Sequence, residues 1–147
     1  MELRDYVRIV RAHWIVIVVA TLVGADLERL RKAVRRSRTA DNDAARLHEV
    51  RKCAKRLRYA AESAVVVHGK RARKLAAAAE DIQDLLGDHQ DTVVTRELLL
   101  RLARDPSLTP EDAFSLGRLH AREEQRGADD RASFVRRWKH FRPKPLR

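Results

Sequence analysis

The chain has almost nothing with which to staple itself. Cys53 is its only cysteine, so no disulfide closes within one chain and a thiol-only metal site has no ligand set. That usage fits a reducing, cytoplasmic setting. Mid-helix beside an apolar stripe, Cys53 reads as inert packing. Glycine and proline are scarce, five and four in 147 residues, which excludes collagen-like and low-complexity classes. No alternating apolar–polar run and no hairpin turn signal occurs, so sandwiches and barrels are excluded too. Aromatics make up 5%, too few to furnish a stacking platform for bases. There is no glycine-rich phosphate loop and no nucleophile–base–orienter set. The expectation is therefore no enzyme, no cofactor and no metal. One domain of all-α, antiparallel-bundle class is the expected architecture, with short loops.

What the chain does have is positive charge. The net is +11 and the isoelectric point about 10.8. Between Arg29 and Lys74 stand sixteen Lys or Arg against four acids, a net of +12, while the rest of the chain sums to −1. Charge so localised calls for a polyanionic partner: nucleic acid, an acidic membrane surface or inorganic polyphosphate.

Residues 1–25 differ from the remainder. An amphipathic, basic opening leads into Trp14–Ala25, which carries no charge. As a helix that run spans about 18 Å, against a hydrocarbon core near 30 Å. It is short for a span and reads as a core helix, an interfacial anchor or a signal-peptide core without a convincing cleavage site. Leu3, Arg4, Asp5, Tyr6, Arg8, Ile9 and Trp14 resemble the lead and first membrane helix of polysaccharide chain-length determinant proteins. That likeness breaks off before a span is complete, and no function is carried over from it.

Residues 26–38 read as a helix with Leu27, Leu30 and Val34 inward. Asp41 or Asp43 can cap the next one. A central helix comes next over about 44–67, with Gly69 as C-cap or hinge. Later helices run over about 70–86, on from Gly87-Asp88 to 104, from Thr109-Pro110 to about 127, and over 129–141, before a basic tail at 142–147. Their expected inward residues are Leu75, Ala79, Ile82 and Leu86, then Val93, Val94, Leu98 and Leu102, then Phe114, Leu116, Leu119 and His120, and last Phe134, Val135 and Trp138.

The central helix carries the chemistry. At 100° per residue, Leu47, Val50, Ala54, Leu57, Ala61 and Ala64 form one stripe that wants a core. His48, Arg51, Lys52, Lys55, Arg58 and Tyr59 form another, about a third of a turn away. A merely solvated helix interleaves Glu at four-residue spacing. Here only Glu49 and Glu62 face Arg51, Lys52, Lys55, Arg56 and Arg58.

Two passages resemble one family. His48–Glu62, HEVRKCAKRLRYAAE, resembles the signature helix of the CHAD domain, the conserved histidine α-helical domain. Ile82–Val94, IQDLLGDHQDTVV, resembles its companion segment. Leu116–Glu124 and Phe134–Phe141 resemble its C-terminal helices. The resemblance covers roughly residues 27–141 and implies half of a two-repeat CHAD-like fold, of the second-half type. Family members bind polyphosphate along a basic groove between two similar halves. With one half present, a homodimer would restore the pair.

The resemblance thus implies non-catalytic polyphosphate binding by His48, Arg51, Lys52, Lys55, Arg56 and Arg58, with Lys70, Arg71 and Lys74 as secondary contacts. The residues suit that task, since Arg chelates phosphate oxygens through two N–H groups and Lys adds mobile charge. His48 is either a phosphate donor, charged below about pH 6.5, or a structural histidine bonded to a carboxylate. Arg51 or Arg58 could instead pair with Asp84 or Asp91. Glu80, Asp81, Asp84, Asp88 and Asp91 read as neutralising the basic helix and capping the next, not as a metal or acid–base site. Two rivals stand: a basic nucleic-acid-binding helical protein, and a membrane-associated module anchored through Trp14–Ala25.

Overall fold

The computed structural model describes residues 3–38, 44–143 and 146, with side chains from Trp14 onward. Four helices succeed one another: α1 (Leu3–Ser37), α2 (Ala44–Ser63), α3 (Val65–Leu102) and α4 (Pro110–His140). Each packs on the next, and the described residues hold no strand. The all-α expectation holds. Asp41 and Asp43 lie outside the described residues.

The buried residues are those the periodicity selects. Leu27, Leu30 and Val34 of α1, Leu47, Val50, Ala54, Leu57 and Ala61 of α2, and Leu75, Ala79, Ile82 and Leu86 of α3 share one core. Three of the five on α2 are large, and its alanines let α1 and α3 approach closely on either side. Phe134 closes the core from α4, with Trp138 and Phe141 stacked 4.9 Å apart beside it.

Several boundaries fall elsewhere than the sequence predicts. The segment expected to separate at residue 25 does not break; α1 runs through it as one helix. Among the described residues no helix is long and apolar enough to cross a membrane. α2 ends at Ser63, but Ala64 keeps a helical φ and ψ of −77° and −10° and the amide of His68 still bonds the Ala64 carbonyl. The chain turns back at Gly69, the expected hinge, where φ is +53°. Only glycine takes that conformation without penalty.

Gly87 and Gly127, expected to interrupt or end helices, do neither. Gly127 serves a close approach, and Gly87 sits in ordinary contact with a side chain. A Cβ on Gly87 would lie 3.4 Å from Nε of Arg51 on α2, and one on Gly127 would lie 2.7 Å from Oγ1 of Thr92 on α3. Thr92 donates to the His89 carbonyl, and Nδ1 of His89 lies 3.0 Å from the Gly127 carbonyl oxygen.

The inward stripe of α3's second half is also corrected. Val94, Leu98 and Leu102 are about half exposed, while His89, Thr92 and Leu99 are buried. Arg58 of α2 meets Glu80 of α3, and Arg51, seven residues earlier, meets Gly87, seven later. One more step of seven pairs Ala44, where α2 begins, with Val94. The side of α3 that α2 covers therefore continues, still apolar, past the end of its cover. Phe114, Leu119 and Val135 of α4 are exposed likewise.

At the α3–α4 seam, burial holds the Asp130 carboxyl above the usual range, with Asp88 adding to the rise. Its Oδ2 is enclosed without a hydrogen-bond partner. A carboxyl with a raised folded pKa disfavours folding once the unfolded chain ionises, from about pH 4 upward. Asp130→Asn should raise the thermal midpoint at pH 7, and the gain should vanish below about pH 4, as read by calorimetry across pH. Gly127→Ala should cost roughly 1–3 kcal/mol by overpacking. Gly117→Ala, where a Cβ meets nothing within 4 Å, should add up to about 1 kcal/mol. Urea melts distinguish the two.

Candidate functional site

The predicted cations divide around α2 by angle. Lys52 is outermost, and His48, Lys55 and Tyr59 share its exposed crest. Arg46 and Arg56 turn toward α1, where Arg46 donates to the Arg36 carbonyl at 2.9 Å and Arg56 lies 3.9 Å from Asp26. Arg51 and Arg58 turn toward α3.

Arg58 belongs to the fold. Its side chain is 19% exposed, donates to Glu80 at 3.1 Å and lies 3.5 Å from Glu62. Its guanidinium also sits over the Tyr59 ring, 4.8 Å from the centroid. The expected pairing of Arg51 or Arg58 with Asp84 or Asp91 does not form. The antiparallel steps place Asp84 beside Ala54, between the two arginines. Arg51 instead lies against Gly87, half-buried, with Nε enclosed and unpartnered.

Between α1 and α2 opens a cavity of about 590 Å³. Arg29, Lys32 and Arg36 form its α1 wall; Arg46 and Arg56 form its α2 wall, and Glu49 is the one acid lining it. Asp26, bonded to Arg29 at 2.7 Å, stands beside it. Cys53 also faces the cavity. Burial, then the Glu49 carboxylate, pushes its thiol up, which keeps it protonated and unreactive.

This α1 wall is the part that sequence reasoning left out. Arg29, Lys32 and Arg36 recur at spacings of three and four, so the stripe was visible. Which helix it would face was not.

His48 is exposed on the crest and makes no bond to a carboxylate among the described residues. Lys52 reaches Glu49 at 3.1 Å, with both ends exposed, a pairing worth little against solvent. Of the predicted residues Arg56 lines the groove, Lys52 adjoins it through Glu49, and His48 and Lys55 stand on the exposed crest outside its lining. The structure does not bring Lys70, Arg71 and Lys74 there. They lie just past the Gly69 break at the start of α3, and Arg71 and Lys74 line a separate cavity with the end of α4.

The acidic run serves the fold in part: Glu80 holds Arg58, and Asp81 holds Arg137 of α4 at 3.2 Å. No three His, Cys, Asp or Glu among the described residues are placed to hold a metal ion.

Arg58→Ala should lower stability by roughly 1–3 kcal/mol, as loss of charged hydrogen bonds does. Lys55→Ala should stay within about 0.5 kcal/mol. Circular-dichroism melts of the two variants check the division between folding and surface cations.

Two curated proteins of Mycobacterium tuberculosis, both named uncharacterized and from different strains, are each 39% identical to the chain over 107 residues. The match takes in 69% of this chain and 20% of theirs, so the chain spans about a fifth of those relatives. No solved structure matches it significantly. A model of the CHAD domain matches residues 11–100, more than half of the chain. That match takes in the whole basic helix, both walls of the groove and most of α3. By that match, the chain belongs to the CHAD domain family.

Proposed function

We propose that the chain binds inorganic polyphosphate, without chemistry, along the crest of α2 and the adjoining α1–α2 groove. The observation that carries this is the groove itself: five cations from two helices around one lining acid, opening beside Lys52 and Arg56. Arg29 to Arg36 covers about 10 Å of helix, longer than one phosphate group. A polyanion charged at every unit suits such a row, because each unit meets a guanidinium or ammonium. The family resemblance implies the same ligand.

Nucleic acid is less well served. The crest offers one aromatic ring, Tyr59, and Arg58 and Lys55 already lie over it at 4.8 and 5.8 Å. Base stacking needs an open ring face. A second chain is a further element of the proposal. Trp14, Ile17 and Leu22 of α1 are exposed, and pairing of two chains would cover apolar surface and set two basic crests around one ligand. A chain with a single cysteine and no disulfide to form fits a cytoplasmic place.

The test is a titration with long-chain polyphosphate at several salt concentrations, with RNA as competitor and sedimentation alongside. Arg29→Gln/Lys32→Gln/Arg56→Gln should weaken binding at least tenfold. It should also lower the slope of log affinity against log salt by about two, at roughly 0.7 per cation removed. Arg51→Gln should leave that slope unchanged. Equal displacement by RNA, or an unaltered triple variant, would reduce the groove to a generic basic surface.

A further inference from the structure

We propose that a second cavity, between the start of α3 and the end of α4, binds a small soluble phosphate monoester carrying an apolar group. This site stands apart from the polyphosphate groove and does not depend on it.

The cavity holds about 460 Å³, within the range of small-molecule sites. Its lining divides by chemistry. Leu75 and Ala78 of α3, with Phe141 and Pro143 after α4, supply hydrocarbon; Arg71, Lys74 and Arg142 supply positive charge, His140 stands beside them, and no acid lines it. Arg71 and Lys74 are exposed and make no ion pair or hydrogen bond among the described residues. Nδ1 of His140 lies 3.0 Å from the Arg136 carbonyl oxygen, which fixes the ring at the edge of the cavity.

The backbone explains why these groups meet. Gly69 breaks the helix, so Arg71 sits in the first turn of the helical stretch beyond it, where the helix dipole adds positive potential. At the other end α4 stops at Phe141, whose ψ of 93° turns the chain into extended form. Arg142 and Pro143 are thereby folded back over α3. Phe141 itself is buried and stacked on Trp138, so it contributes a fixed edge and not a mobile lid.

An apolar floor beneath a cationic rim selects for shape of charge. A polyphosphate chain would press charged units against Leu75 and Ala78 and lose their hydration. A molecule charged at one end only avoids that cost. Three permanently charged residues favour a phosphate dianion over a carboxylate, and Arg binds it through paired N–H groups.

The Trp138–Phe141 stack supplies the readout. In a Trp14→Phe background, Trp138 is the remaining tryptophan, so its emission reports on the cavity. The probes are phenyl phosphate, inorganic phosphate and benzyl alcohol, with chemical-shift mapping in parallel. Phenyl phosphate should give a saturable change below millimolar concentration. The other two should bind at least tenfold more weakly. Arg71→Gln/Lys74→Gln should weaken phenyl phosphate at least tenfold with unchanged helix content, while the groove variant Arg29→Gln/Lys32→Gln/Arg56→Gln should leave it unchanged. Equal binding of inorganic phosphate, absence of saturation, or loss in the groove variant would overturn the proposal. So would vesicles containing phosphatidic acid that perturb the cavity where phenyl phosphate does not. Polyphosphate binding is read separately, so failure of either site leaves the other standing.

Discussion

Burial of one narrow stripe on α2 governs the molecule. Leu47, Val50, Ala54, Leu57 and Ala61 must leave water, and one neighbouring helix is not enough to cover them. α1 takes one flank and α3 the other. A helix held on two sides has two seams and one free crest. A sequence this rich in cations then places positive charge in all three. That single requirement explains why Arg58 is tied into the fold while Lys52 and Lys55, a few residues away, are not.

The seams treat their cations differently because their partners differ. On the α3 side, Glu80 and Gly87 receive Arg58 and Arg51, so the charge is matched or enclosed. On the α1 side, the facing stripe is itself basic, and the two walls hold five cations with Glu49 and Asp26 to offset them. Like charges gathered along a half-open groove repel. The core packing of Leu27, Leu30 and Val34 against α2 holds them there regardless. An anion binding in the groove relieves that repulsion, which couples ligand binding to the stability of the α1–α2 pair.

Much of the fold was legible because helical periodicity is strong and local. The inward residues of α1, α2 and the first half of α3 emerged from spacing alone. The misread positions share a cause. Gly87 and Gly127 looked like stops, because glycine is a poor helix former; Gly127 sits where α3 leaves no room for a Cβ, and Gly87 lies inside α3 in contact with Arg51. Gly69 was a hinge as expected, since nothing packs against it and its backbone needs a positive φ. Sequence does not tell a glycine kept for its backbone from one kept for its missing side chain. Val94, Leu98 and Leu102 failed similarly: they are apolar at helical spacing, but they lie at or beyond the level of Ala44, where α2 begins.

By itself the sequence determined the helical class, the apolar stripes of α1, α2 and the first half of α3, the concentration of charge between Arg29 and Lys74, and the resemblance carried by His48–Glu62. Each is a property of composition or of neighbours along one helix, and 3.6-residue geometry converts it directly into a face. Tertiary structure alone decided which cations lie together. Arg29, Lys32 and Arg36 joined Arg46 and Arg56 because α1 and α2 run antiparallel in one particular register. Arg51 and Arg58 turn toward α3 because it offers Gly87 and Glu80 at that level. Arg71 and Lys74 went to a different cavity because Gly69 and Phe141 redirect the chain. Those pairings depend on packing between residues distant in sequence, about which no local pattern carries information.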